Sequence, residues 1–220
     1  MIKVLGNNIV NAFTGGNPVK AIYAYGEKVW PSSNNNVIYY TSTDGQVVTP
    51  YKTNFGSASI ISNTYSNGKG VIIFDQDLTN VGDQAFYKKN TLQTVILPPS
   101  VTTIGQAAFE LCKSLINISI PEGVTYLGGI CFESDSSLIS ITIPASCTSI
   151  GWAICDDCTS LKEVIVNSVN PPSLWKSSNE QYKQFNNNAS GRLIKVPAGS
   201  VDAYKSAPGW SVYADSIVSQ

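Results

Sequence analysis

Leu92-Gln-Thr-Val-Ile-Leu-Pro98 returns as Leu115-Ile-Asn-Ile-Ser-Ile-Pro121 and as Leu138-Ile-Ser-Ile-Thr-Ile-Pro144. It returns a fourth time, without its proline, as Leu161-Lys-Glu-Val-Ile-Val166. The leading leucines stand 23 residues apart at every step. The same step links Gly82, Gly105, Gly128 and Gly151, and before them Val81, Ile104, Leu127 and Ile150. Phe86, Phe109 and Phe132 follow each glycine, with Cys155 in the fourth place. A fixed period in the twenties marks a solenoid of short rungs.

Each seven-residue run alternates and reads as a strand, with Leu92, Val95 and Leu97 inward and Thr94 and Ile96 outward. The proline removes a backbone donor and ends the strand. A turn with one apolar residue follows (Val101, Val124, Cys147), then an apolar cluster around the glycine. Ala107-Ala-Phe-Glu-Leu111 is too short for a free helix and suits a single helical or 3-10 turn held by packing. The repeated glycine marks either a positive φ or a close approach between rungs. One rung cannot bury its own apolar side, so rungs must stack as a parallel sheet, one strand each, closed by a cap at both ends.

Ile104-Gly-Gln-Ala-Ala-Phe-Glu-Leu-Cys112-Lys-Ser-Leu-Ile-Asn-Ile-Ser-Ile-Pro121 resembles the repeat of the BspA-like leucine-rich repeat family of bacteria and some microbial eukaryotes. The likeness covers about Val71 to Val166, and Ile194 to Trp210 looks like a terminal cap common in that family. The resemblance implies a right-handed leucine-rich repeat solenoid with a surface-exposed binding role and no shared catalytic residues.

Net charge is −1 and charged residues make up 13%, which points away from nucleic acid and anionic membrane surfaces. No apolar run approaches the roughly 18 residues of a membrane span. The apolar part of Met1-Ile-Lys-Val-Leu5 is too short for a secretory signal. Either an export signal was removed before this chain begins, or there is none, which would suit a phage or prophage structural protein released by lysis. Five cysteines cannot all pair within one chain. Cys112 and Cys158 share one repeat position, Cys131 and Cys155 fall in the apolar cluster, and Cys147 takes the turn position, so all read as small buried hydrophobes. The repeat accounts for both cysteines of Cys155-Asp-Asp-Cys158, and without histidine no metal or cofactor is expected.

Along the chain, residues 1–31 read as a small β-hairpin module, with strand candidates Ile2–Leu5 and Asn8–Asn11 and a hairpin over Ala21–Pro31. The run Ile22-Tyr-Ala-Tyr-Gly-Glu-Lys-Val-Trp-Pro31 is similar to short modules of phage tail and prophage proteins. Residues 32–36 form a polar linker. Residues 37–70 read as the N-terminal cap, with a hairpin across Asp44-Gly45 and a further strand near Ser59–Tyr65. Rungs span 71–166, beginning with Val71–Phe74, and 167–192 form an insertion. The last strand and C-terminal cap fill 193–220, with Ser200 as N-cap of a helix that Pro208-Gly209 stops.

Without histidine, Ser-His-Asp and Cys-His catalysis and imidazole metal sites are ruled out, and the chain is read as no enzyme. A hydrolase using the carboxylates Asp156-Asp157 or Glu133 and Asp135 is the third reading. The leading reading is a binding or adhesion protein at the cell surface that recognises a host or bacterial surface protein or glycan. A phage or prophage tail-associated, receptor-binding component is the alternative, attached or self-associating through residues 1–31. Two surfaces are candidates for the ligand. One is the outward strand ladder of Thr94, Asn117, Ser140 and Glu163 beside Ile96, Ser119, Thr142 and Ile165. The other is aromatic: Trp152, standing where sister rungs carry Asp83, Gln106 and Gly129, and Trp175 in the insertion. Tyr182 and Phe185 are read as the insertion's private core.

Overall fold

The structure is a computed structural model that describes residues 35–177 and 181–220 and, before them, four short strands. These are β1 (Phe13–Thr14), β2 (Asn17–Pro18), β3 (Ile22–Ala24) and β4 (Glu27–Trp30). β1 pairs antiparallel with β2, and β3 with β4, where Ala24 lies opposite Glu27. The strand candidates 2–5 and 8–11 and linker residues 32–34 lie outside the described residues.

From residue 80 on, each rung contributes two strands to two ladders. The two-residue strands are β8 (Asn80–Val81), β10 (Thr103–Ile104), β12 (Tyr126–Leu127), β14 (Ser149–Ile150) and β16 (Ser173–Leu174), which form one parallel five-stranded sheet. The repeat strands are β9 (Leu92–Ile96), β11 (Asn117–Ser119), β13 (Ser140–Ile143), β15 (Glu163–Val166), β17 (Leu193–Val196) and β18 (Ile217–Ser219). Thr94 sits opposite Asn117 and Ser140 opposite Glu163, so the 23-residue period is the register itself. The turns add a third ladder: Phe86, Phe109 and Phe132 donate their N–H to the carbonyls of Ala108, Cys131 and Ile154 at 2.7–2.9 Å. Backbone groups that one rung would leave unpaired are thus satisfied by the next.

The core is a column of stacked identical positions. Phe86 lies parallel to Phe109 at 5.1 Å between centroids, and Phe109 to Phe132 at 5.6 Å. Phe55 closes the column at the N-terminal end against Phe74 and Phe86. At the far end Cys155 is followed by Phe185, which meets Trp210 and Tyr213. The helix α1 (Val201–Ser206) follows Ser200, which caps it through its carbonyl to Tyr204 N–H and not through its hydroxyl. A 3-10 turn (Ser211–Ser216) then returns the chain as β18, parallel to β17.

The glycine ladder answers the choice posed by the sequence. A Cβ on Gly105 would press on the backbone of Gly82 and Asp83, one on Gly128 on Gly105 and Gln106, and one on Gly151 on Gly128 and Gly129. The glycines are therefore places of close approach between rungs. Positive φ falls two residues later, at Gln84, Ala107, Ile130 and Ala153, with values of 51–59°.

Three sequence expectations differ from the structure. Val71–Phe74 belongs to β7 (Lys69–Phe74), which runs antiparallel to both β5 (Val37–Ser42) and β6 (Ile60–Ser66). On the side away from β11, β9 pairs with β5, also antiparallel. Alternation shows which side chains point inward but not which way a strand runs. Second, Asp44-Gly45 makes a turn, with Gly45 at φ +68° and Asp44 Oδ1 accepting Gln46 N–H, but no hairpin: β5 takes β7 and β9 as partners. Third, the stretch after Val166 continues the stack. Ser173 pairs with Ser149, Cys155 N–H donates to Gln184, and Ile194 pairs with Val164. Phe185 occupies the aromatic position 30 residues after Cys155, so this rung carries seven residues more than the regular 23.

Candidate binding surface

The strand ladder places Thr94 beside Asn117 and Ile96 beside Ser119, then Ser140 beside Glu163 and Thr142 beside Ile165. Thr94, Asn117, Ser119, Ser140, Thr142, Glu163 and Ile165 are half-buried. Ile96 is only 8% exposed, because β5 lays Tyr39 directly across from it, and it does not present to solvent as the alternation predicts. The ladder is tied at both ends. Thr41 Oγ1 lies 2.8 Å from Thr94 Oγ1, and Lys195 Nζ meets Glu163 Oε1 at 2.7 Å. Pre-existing partners of this kind hold the polar face in one arrangement.

The aromatic candidates belong to the other sheet. Trp175 follows β16, and its N–H donates to Ile150, as Gly105, Gly128 and Gly151 donate to Val81, Ile104 and Leu127. It occupies the glycine position of the final rung. This rung is offset by one residue, with Ile150 opposite Leu174, 24 apart. The indole lies back along the sheet, where Nε1 donates to Ser149 Oγ at 2.9 Å and the ring sits 6.1 Å from that of Tyr126. Gln184 Nε2 holds the Trp175 carbonyl from beneath. The side chain remains 54% exposed. An exposed tryptophan fixed by a ring nitrogen bond and a neighbouring ring loses little rotamer freedom on binding.

Trp152 is half-buried, and its indole crosses Gly129 of the preceding rung, where a Cβ would meet Nε1 and Cδ1 at 2.7–2.8 Å. The glycine makes room for the ring. Tyr126 and Ser149 were not singled out by sequence, although the row Asn80, Thr103, Tyr126, Ser149 repeats at 23 residues and signals an outward-facing line. Phe185 is buried and Tyr182 half-buried, packed against Gly209.

The candidate carboxylates differ in burial. Asp135 is fully buried, its Oδ1 accepting the Cys112 N–H at 2.7 Å, while Glu133 is half-exposed in the turn. Burial, followed by the neighbouring Glu110, Asp156 and Asp157, pushes Glu133 up to about 7. Among the described residues no group of three or more His, Cys, Asp or Glu is placed to hold a metal. All five cysteines are free and buried, and desolvation holds Cys112, Cys131 and Cys155 above the ordinary thiol value. Cys112 and Cys158 use their thiols to donate to Phe86 and Phe132 at 3.0 Å. Among the described residues no helix is long and apolar enough to cross a membrane.

Comparison with solved structures gives the T. pallidum leucine-rich repeat protein TpLRR at 25% identity and a TM-score of 0.36, covering 56% of this chain and 67% of that one. It also gives the pneumococcal vaccine antigen PcpA at 16% identity and a TM-score of 0.45, covering 72% of this chain and 46% of that one. The chain thus spans less than half the length of PcpA. Comparison with curated proteins returned no match. The family model described as a BspA type leucine rich repeat region matches residues 59–179 in six copies. With a period, a register and a matching model over more than half its length, the chain belongs to the BspA type leucine-rich repeat family.

Proposed function

We propose that this chain is a non-enzymatic binding protein of the adhesin kind, displayed at a bacterial surface, which recognises a surface protein or glycan on a rigid preformed scaffold. The observation that carries the reading is Trp175: a large aromatic ring, more than half exposed, locked to Ser149 and set beside Tyr126. Protein interiors take up such rings when they can, and exposed ones held in place supply the anchors of binding sites. The half-exposed hydroxyl and amide ladder of the strand sheet and the ring of Trp152 offer further contacts to the same class of ligand. Membership in a family of repeat scaffolds supports the reading, since stacked rungs present long, regular surfaces.

The test is an array of glycans and matrix proteins probed with the full chain and with Trp175→Ala. Saturable binding that falls about tenfold or more on Trp175→Ala is the expected result, in line with an aromatic hot spot. Ligand binding that is unchanged in the folded variant would overturn the assignment of this surface, and silence across the array would overturn the adhesin reading.

A further inference from the structure

The sheet of two-residue strands carries one column of outward side chains, held in register rung by rung. Asn80 lies opposite Thr103, Thr103 opposite Tyr126, Tyr126 opposite Ser149 and Ser149 opposite Ser173. Asn80, Thr103, Tyr126 and Ser149 are half-buried, and Ser173 is exposed. Side-chain contacts run along this column on one face. Thr103 Oγ1 donates to Asn80 Oδ1 at 2.8 Å. Trp175 Nε1 donates to Ser149 Oγ, and its ring meets that of Tyr126. The indole therefore joins the column at the level of the Tyr126 and Ser149 rungs. Toward Asn80 the column turns from aromatic to polar.

None of these six residues is aliphatic and none is charged. The core of a protein–protein interface is apolar and fully desolvated, which this column does not offer. Hydroxyls, an amide and an exposed ring on one face suit a sugar. A gluco-configured pyranose holds its hydroxyls at its edge and leaves C–H groups on both faces. It can stack on an indole and bond to hydroxyls at the same time. Burial first, then Cys131 and Asp83, hold the Tyr126 phenol above its ordinary value, so an acid reaches this column. Lys176, next to Trp175, stands over the Tyr182 ring. An acid in this place disfavours sulfated and acidic sugars. The column also has a period, one side chain for each rung of about 4.8 Å. A β-1,4-linked pyranose advances by a similar length per unit and keeps step with the rungs. An α-1,4-linked chain coils and falls out of step.

We propose that this column binds a linear, neutral, β-1,4-linked glycan of gluco configuration, with one sugar ring stacked on Trp175 and the next units running along the rungs toward Asn80. The inference rests on the reading of the chain as a binding protein and narrows its ligand class at the same surface. Ser149 to Asn80 is three rung steps, about 14 Å, which is room for three sugar units. Trp175 supplies the stacking face. Thr103 and Asn80 bond the hydroxyl edges of the units that follow. Ser149 holds the indole in place through its ring nitrogen and acts as a positioning residue.

The experiment is calorimetric titration of the full chain with cellohexaose and, as the out-of-step chain, maltohexaose. Cellohexaose is expected to bind saturably, and maltohexaose about tenfold more weakly or worse. Cellotriose binds about as tightly as cellohexaose, because three units fill the column, and cellobiose binds more weakly. Trp175→Ala lowers cellohexaose affinity about tenfold or more, in line with an aromatic anchor. Thr103→Val, which keeps the shape and removes one hydroxyl, lowers it about threefold or more. The melting temperature of each variant checks that it is folded. No saturable binding of cellohexaose, equal affinity for maltohexaose, or affinity unchanged in folded Trp175→Ala would each overturn the proposal. A protein ligand that needs Trp175, found while cellohexaose stays silent, would overturn the glycan and leave the adhesin reading standing. Silence from the oligosaccharides and from the array together would overturn both.

Discussion

Replacing Gly128 with alanine is expected to cost about 4 kcal/mol or more, in the range reserved for the most disruptive single changes. The added methyl would press on the carbonyl carbon of Gly105 and the nitrogen of Gln106. Both are backbone atoms of the preceding rung, so no side chain can swing aside. The rungs must separate, and two features depend on their spacing. One is the 2.7 Å bond from Gly128 N–H to Ile104. The other is the stack of Phe109 on Phe132. Ordinary overpacking costs about 1–3 kcal/mol where neighbours can relax; here they are fixed by three ladders. Gly45→Ala is the control. No atom lies within 4 Å of its Cβ, and only the positive φ is penalised, for about 1 kcal/mol. Urea denaturation of the two variants measures the difference.

The second large effect concerns Asp135, which stands in the column Cys112, Asp135, Cys158, Asn188. Its fellow members donate a hydrogen bond to the adjoining rung: the Cys112 and Cys158 thiols to Phe86 and Phe132, and the Asn188 amide to Cys155. Asp135 accepts one through Oδ1 and leaves Oδ2 buried without a partner. A buried orphan of this kind costs about 1–3 kcal/mol. Burial, with the nearby Cys158 and Glu110 adding to it, pushes the Asp135 carboxyl well above the usual carboxylate range. A raised folded value means the fold prefers the protonated acid. That contribution is complete below the unfolded value of about 3.9 and is lost as pH rises toward the folded one. Glu133, raised to about 7, acts in the same direction between its ordinary value and neutrality. The chain is therefore expected to melt higher at pH 5 than at pH 8. Asp135→Asn keeps the acceptor for Cys112 and gains a donor, as Asn188 shows the column accepts. It should raise the melting temperature at pH 8 by several degrees and flatten its pH dependence. A variant that melts lower at pH 8 would show that the charged carboxylate stabilises this site.

Much of this was legible in the sequence because the repeat is the structure. The 23-residue step of Leu92, Leu115, Leu138 and Leu161 is the register of the ladder, and the glycines mark the close approach. What was not legible has physical reasons. Strand direction at Val71–Phe74 leaves no trace in an alternating pattern, since both directions bury the same side. Ile96 alternates outward yet is covered, because its neighbour Tyr39 comes from a strand more than fifty residues earlier. The last rung was hidden by its additional residues and by Trp175 standing in the place that Gly105, Gly128 and Gly151 hold in the rungs before it. That substitution, a break in the repeat seen along the sequence, is also the exposed ring on which the proposed binding surface rests.

The most direct test of the stacked-rung account is amide hydrogen exchange at Gly105, Gly128 and Gly151, each bonded to the rung before it. A single cooperative stack predicts strong and closely similar protection at all three, lost together in denaturant. Rapid exchange at any of them, or protection that differs widely from rung to rung, would contradict a solenoid held in register by its 23-residue repeat.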